Sequence, residues 1–254
     1  MSKTYFITDL DRTIIFSKNK GFRCVENIGD REITYMTEYS YKAFHKILKK
    51  ENFQFIPCTM RNITQTLRVD FIREYNPNII ICTNGAEIYI NGELDLFWND
   101  VMRKIVDTKE VEEDIKYIKS LNIDYKEVRN IEGFYVAIKL ETEELADEAY
   151  DLLKDKFQNY KKVIKIWTKI FIIHEEINKL RATDYIIDRF NMKNIITSGD
   201  SQVDSEFTKR GISIIPKHSS FRHKGAIVTM QEGIYSADEL MDKLNMYINE
   251  VTNL

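Results

Sequence analysis

Short runs of β-branched and aromatic residues alternate along the chain with stretches whose apolar positions recur every three or four residues. The runs YFIT (5–8), FQFIPCT (53–59), NIIICT (78–83), NIITS (194–198), ISIIP (212–216) and AIVTM (226–230) lack clean alternation, as strands buried on both faces do. Between them, Tyr41, Phe44 and Leu48, then Ile63, Leu67 and Phe71, then Ala182, Ile186 and Phe190 keep helical spacing, which predicts helices packed by one face. The pattern is that of an α/β protein, a parallel sheet covered by crossover helices. A last helix opens with Ser236 and Glu239 in capping-box spacing and carries Leu240, Leu244, Tyr247 and Val251 along one side.

Residues 89–171 follow a different rule. Phe134, Val136, Ile138 and Leu140 alternate with Tyr135, Ala137 and Lys139, which predicts a strand with one buried and one wet face. A helix marked by Val111, Ile115 and Ile118 precedes it, and another marked by Leu145, Ala149 and Leu152 follows, ahead of the strand pair KVIKIW and KIFIIH. The segment opens with IYINGEL, where Asn91-Gly92 signals a hairpin. An α+β unit is thus expected as an insertion at 89–171 in an α/β core formed by 1–88 and 172–254. Such an insertion is placed to act as a cap over the carboxyl ends of the core strands, where open α/β sheets bind ligands.

Composition narrows the picture. The chain has 254 residues but only 9 Gly and 3 Pro, so no flexible linker separates the two parts. Lys and Arg (37) nearly balance Asp and Glu (40) for a net charge of −3, and no basic face marks a nucleic-acid partner. The longest apolar runs fall far short of the ~20 residues of a membrane span, and the opening MSKTYFITDLDRT lacks the apolar core of a secretory signal. The expectation is a cytoplasmic protein without membrane or nucleic-acid partners. Cys24, Cys58 and Cys82 lie far apart and are expected to be buried, reduced thiols.

Four segments carry candidate chemistry, each at the end of a predicted core element. DLDRT places Asp9 and Asp11 two apart at the end of the first strand, so that both carboxylates face one side. Such a pair suits a nucleophile and metal ligand beside a proton shuttle, and equally suits a turn. FIPCTMR puts Thr59 and the Met60 amide at a helix start, a phosphate cradle or an ordinary helix cap. Lys179 heads a crossover helix, where an ammonium can neutralise phosphoryl charge or be solvated. GDSQVDS offers Asp200 and Asp204, hard oxygen donors of the kind Mg²⁺ takes, or a capped turn.

In this order the four segments resemble the motifs of the haloacid-dehalogenase (HAD) superfamily of phosphohydrolases, over essentially the whole chain. With ICTNGAEIY ahead of the insertion, the layout is similar to the Cof-type and sucrose-phosphatase-like branch. DLDRT, PCTMR and SGDS also bear a looser likeness to HAD proteins of tellurium-resistance operons. The resemblance implies a Rossmann-like core with a cap, and a Mg²⁺-dependent phosphatase acting on a small phosphorylated metabolite such as a sugar phosphate. It implies that Asp9 forms an aspartyl-phosphate and that Asp11 protonates the leaving alcohol and then activates water. Thr59, Met60 and Lys179 would hold the phosphoryl group. Asp9, the backbone carbonyl of Asp11, and Asp200 would bind Mg²⁺, with Asp204 as ligand or support.

Arg12 stands where Gly is common in this branch, Met60 replaces the Gly of Thr-Gly-Arg, and Val203 replaces a frequent Asn. His45, His174, His218 and His223 fall outside the motifs and are expected to be structural or at the surface. A phosphomutase and a binding or regulatory protein that has kept the fold are the alternatives. A dehalogenase would need neither Mg²⁺ nor the second acid, and Asp11 is present.

Overall fold

The computed structural model describes residues 3–17, 20–157 and 160–252. The chain divides into two compact units, one formed by residues 1–94 with 179–254 and the other by residues 95–178.

The first unit opens with β1 (Thr4–Thr8), β2 (Arg23–Ile28), β3 (Arg31–Met36), α1 (Glu38–Leu48) and β4 (Phe53–Pro57). It continues through α2 (Ile63–Thr66), α3 (Asp70–Tyr75), β5 (Ile79–Cys82), β6 (Glu87–Ile90) and β7 (Glu93–Leu94). The second unit holds α4 (Leu96–Ile105), α5 (Thr108–Ser120), β8 (Glu127–Ile131), β9 (Tyr135–Lys139), α6 (Glu143–Leu153), β10 (Lys161–Ile166) and β11 (Lys169–His174). The chain then re-enters the first unit with α7 (Lys179–Phe190), β12 (Asn194–Ser198), β13 (Ile212–Ile215), β14 (Ile227–Val228) and α8 (Ser236–Thr252).

The core sheet is parallel, in the order β14-β13-β12-β1-β4. A single parallel bridge between Cys58 and Ile81 continues it towards β5, which pairs antiparallel with β6. The chain builds outward from β1 to β4 and later returns to β12 on the other side of β1. Strand order therefore reverses beside β1, and the crevice at the carboxyl ends there is where such sheets bind ligands. Register sets the site's floor, because Thr8 lies level with both Pro57 and Ser198. Asp9, Cys58-Thr59 and Gly199-Asp200 therefore leave the sheet along one edge. Beneath them Phe6, Phe44, Phe55 and Phe71 are buried in one cluster, with Phe44 packed edge-on against both Phe55 and Phe71.

The strands and crossover helices fall where the hydrophobic pattern places them, with instructive exceptions. The helix expected through Ile63, Leu67 and Phe71 is two short helices, because Val69 leaves the helix to bridge Glu26 of β2. The β2–β3 hairpin, turning at Gly29, has no counterpart in the periodicity, and neither does α4, capped by Asp95 on the Trp98 amide. At α8 the expected capping box is not formed. Ser236 instead donates to the Gly233 carbonyl, and the Glu239 carboxylate accepts the amides of Met230 and Gln231. The side chain of Val251 lies outside the described residues.

The second unit is a four-stranded antiparallel sheet, β10-β11-β9-β8, with α4, α5 and α6. Its boundaries fall at Leu94/Asp95 and Asn178/Lys179 rather than at 88/89 and 171/172. The hairpin at Asn91-Gly92 stays with the first unit because β6 is zipped to β5, whereas β11 is paired with β9 as far as Ile173 and with β10 as far as His174. The face of β9 expected to be wet is dry, since Tyr135 and Ala137 are buried and the Tyr135 ring meets Phe171 edge-on. Among the described residues no helix is long and apolar enough to cross a membrane.

Cys58 and Cys82 are buried, whereas Cys24 is only partly so, against expectation, because β2 carries it at the rim of the hairpin. Burial pushes the Cys58 thiol up to about 12 and raises Cys82 as well. A thiol-disulfide reagent at pH 8 is therefore expected to label Cys24 alone in the native protein and all three thiols in denaturant. Rapid labelling of Cys58 or Cys82 in the native state would contradict the packing of β4 and β5.

Candidate active site

Three loops leaving the carboxyl edge of the sheet and the first residue of α7 converge on one buried charge cluster. Asp9 prolongs β1 by donating its amide to the Ser198 carbonyl, and the Cys58 amide reaches Thr8 in the same way. These two bonds lock the loops after β4 and β12 to the β1 end. Lys179 is 1% exposed and its ammonium lies 2.6 Å from Asp9 Oδ1 and 2.6 Å from Asp204 Oδ1. The other oxygen of Asp204 accepts the amides of Asp200 (3.1 Å) and Ser201 (2.9 Å) and the Ser201 hydroxyl (3.0 Å). Asp204 thus orients Lys179 with one oxygen and ties down the Asp200 loop with the other. Gly199 makes this possible, because a Cβ there would sit 2.5 Å from the Asp204 Cβ.

Ligand oxygens of Asp9, Asp200 and Asp204 all lie within 4.8 Å of one another. Three buried carboxylates share the Lys179 ammonium and, at Asp200 Oδ2, the Arg12 guanidinium at 2.9 Å, so their formal charges do not balance. Burial works against the Lys179 ammonium, but Asp204 and Asp9 outweigh it and hold its pKa above the ordinary range. The carboxylates are under-compensated. Burial drives Asp9 well above the usual carboxylate range despite Lys179, and burial followed by Asp204 pushes Asp200 up to about 7 despite Arg12. A hard, oxygen-lined, over-negative cluster fits Mg²⁺, which takes one or two carboxylates with water and substrate oxygens.

Asp11 does not join this cluster. Its carboxylate accepts from one edge of the Arg61 guanidinium, at 2.6 Å from Nε and 2.7 Å from Nη2. Arg61 is anchored in turn by Glu26, whose side chain is wholly buried and accepts from Arg61 (2.9 Å), Arg68 (3.0 Å) and Thr34 (3.1 Å). The β2–β3 hairpin and the break between α2 and α3 exist where this network needs them, because they bring Glu26 and Arg68 together. Sequence reading missed Glu26 and Arg68, and a buried acid in a hairpin carries no local signal that could reveal them. Thr59 is buried, its hydroxyl oxygen accepts the Arg61 amide at 3.1 Å, and among the described residues its O–H has no protein acceptor. Met60, half-buried, follows it at the bend leading to α2.

Arg12 adopts a left-handed backbone, φ +61°, the conformation that favours glycine. Its amide donates to the Ile15 carbonyl, and its carbonyl accepts from His218 Nε2 at 2.8 Å. His218 Nδ1 accepts the Gly233 amide, which fixes the ring as the neutral tautomer protonated at Nε2. Burial lowers its pKa, in keeping with that form. His218, expected to be structural or at the surface, is structural, holding the backbone of the loop after β1.

A parallel sheet with buried carboxylates gathered beside its switch point, and a second unit inserted in the chain, is the arrangement of a HAD-type fold. The family model for sucrose-6F-phosphate phosphohydrolase matches residues 2–216. The chain belongs to that family, within the Cof-type HAD phosphohydrolases. Solved structures share the fold at low identity. The sucrose-phosphatase of Synechocystis sp. PCC6803, solved with sucrose and phosphate, superposes with a TM-score of 0.66 at 14% identity over 96% of this chain and 99% of its own. TM0651 from Thermotoga maritima gives 0.65 at 18% identity over 96% and 97%, and the HAD subclass IIB sugar phosphatase BT4131 gives 0.61 at 14% over 96% and 99%. No curated protein sequence matches the chain.

Because Glu26 is dry, removing its main partner leaves a buried charge half-compensated. Arg61→Met is expected to lower stability by about 3 kcal/mol in urea denaturation. A loss under about 0.5 kcal/mol would show that the network is not the anchor of Arg61.

Proposed function

We propose that the protein is a Mg²⁺-dependent phosphatase that hydrolyses a sugar phosphate or a related small phosphomonoester through an aspartyl-phosphate. The observation that carries this reading is the state of Asp9. Its Oδ1 is pinned by a buried ammonium, while among the described residues Oδ2 has no protein donor. One oxygen is thus oriented and the other left available to attack phosphorus.

In this mechanism Asp9 Oδ2 forms a bond to phosphorus as the ester bond to the leaving alcohol breaks, and Asp11 gives that alcohol its proton. Asp11 then takes a proton from water, whose oxygen attacks the phosphoryl-aspartate and frees Asp9 and phosphate. Both Asp11 oxygens accept from Arg61, apart from the buried cluster, so Asp11 serves as the proton carrier by parting from Arg61 and taking up the proton that it then gives to the alcohol. The Thr59 hydroxyl, the Met60 amide and Lys179 donate to phosphoryl oxygens, whose charge grows as the bond breaks. Asp9, the Asp11 carbonyl and Asp200 would hold Mg²⁺, with Asp204 supporting from behind, and the bound ion would supply positive charge opposite the transferring group. We assign choice of substrate to the inserted unit, residues 95–178, which carries none of the four motifs. A cytoplasmic site of action accords with substrates of this class.

The test is phosphate release from an aryl phosphate and a panel of sugar phosphates, with Mg²⁺ or chelator, for the native protein and Asp9→Asn. Release is expected to require the ion and to fall by roughly a thousandfold or more in Asp9→Asn. Turnover that survives Asp9→Asn would refute the covalent mechanism, and an isomeric sugar phosphate in place of free phosphate would assign a mutase.

A further inference from the structure

The loop of residues 217–222 follows β13 and Pro216 at the carboxyl edge of the sheet and carries none of the four motifs, yet it reaches both acid-bearing loops. Its Ser220 donates the backbone amide (2.8 Å) and the hydroxyl (3.3 Å) to the Asp200 carbonyl, and its His218 holds the Arg12 carbonyl after β1. We propose that Arg222 is a positioning residue for the cation site, shaping this loop so that Ser220 fixes the backbone from which the Asp200 carboxylate projects. The inference rests on the metal reading given above.

The tie matters because of the peptide it grips. In a trans peptide the C=O and the N–H point in opposite directions. The Asp200–Ser201 peptide is captured at both edges, its carbonyl by Ser220 and its N–H by Asp204 Oδ2 at 2.9 Å. The Asp200 amide goes to the same Asp204 oxygen at 3.1 Å. With the peptides on either side held, Asp200 keeps its place in a cluster of three carboxylates whose ligand atoms lie within 4.8 Å of one another. Loss of the Ser220 tie lets the peptide tilt and the carboxylate leave its place beside Asp9.

Residues 217–222 have no helix or strand to hold their shape. Arg222 supplies it. Its Nη1 donates to the carbonyls of Ser219 (3.0 Å) and Phe221 (2.6 Å), and its Nη2 donates to that of Lys217. Alternate carbonyls of the loop thus turn inward on one guanidinium, and two of them flank Ser220. A lysine brings the same charge on a single nitrogen and does not reproduce the planar fork.

Charge and shape predict opposite signs. Loss of a positive charge alone favours a divalent cation, whereas loss of the loop's shape disfavours it. Calorimetric titration with Mg²⁺ is expected to show about tenfold weaker binding in both Arg222→Ala and Arg222→Lys. Lys224→Ala, which removes a neighbouring exposed charge and leaves the three carbonyls paired, should bind within about twofold of native. In chelator, amide exchange followed by NMR should find the Ser220 N–H protected in the native protein and that protection lost in both Arg222 variants. Both should still unfold cooperatively, since Arg222 lies at the surface. Native or tighter Mg²⁺ affinity in either Arg222 variant would overturn the proposal, as would an equal loss in Lys224→Ala or Ser220 protection that persists without Arg222. A lower melting point with unchanged affinity would make Arg222 a stabilising residue only, and would overturn it too. Absence of Mg²⁺ binding in the native protein would overturn the metal reading and the proposal with it. If the affinity falls as expected but Asp9-dependent phosphate release is not found, the phosphatase reading fails and the positioning role stands.

Discussion

The site is organised around one ammonium buried beneath the carboxyl edge of a parallel sheet. Lys179 binds Asp9 at the end of β1 and Asp204 in the loop after β12, so a single side chain joins three separate segments of the chain. Desolvating a lysine is costly. It is tolerated here because two carboxylates meet the ammonium at 2.6 Å and one of them, Asp204, is itself saturated by backbone amides. The same contact fixes one oxygen of Asp9, and among the described residues no protein group donates to the other.

Around this centre the charges are sorted by partner. Asp9, Asp200 and Asp204 are gathered and left over-negative, while Asp11 is drawn aside by Arg61. The proposed mechanism uses that separation, giving phosphoryl transfer to Asp9 and proton transfer to Asp11. It depends on a second layer, because Arg61 is aimed by the buried Glu26 and the Arg12 carbonyl by His218. One position at which the chain departs from the usual pattern, Arg12, is held in the same way. Arg12 occupies a glycine conformation and adds a guanidinium to the cluster. Nothing in the structure explains Val203.

The parts legible in the sequence are those that depend on local spacing. Strands buried on both faces read as unbroken apolar runs, and a motif acid directly after such a run lies at the sheet's edge, so Asp9, Thr59 and Asp200 could be placed without coordinates. Lys179 was legible as a helix start after the insertion, though its burial was not. What stayed hidden depends on partners far away in the chain. Arg61 and Asp11 are 50 residues apart and Arg61 and Glu26 are 35 apart, and neither pairing leaves a periodic trace. The break at Val69 follows from the Glu26 bridge, a tertiary demand that overrides a helical pattern. The dry second face of β9 likewise reflects packing by Phe171 rather than the alternation of its own residues.

A double-mutant cycle between Lys179 and Asp9, followed by urea denaturation in chelator, tests the central claim most directly. Lys179→Met alone should destabilise the protein by about 3–5 kcal/mol, since it strands buried carboxylates. Adding Asp9→Asn should recover part of that loss, so that the double mutant is more stable than the two single effects sum to by more than about 1 kcal/mol. Effects that add to within about 0.5 kcal/mol would mean that Lys179 and Asp9 do not hold each other, and the account of the site would be wrong at its centre.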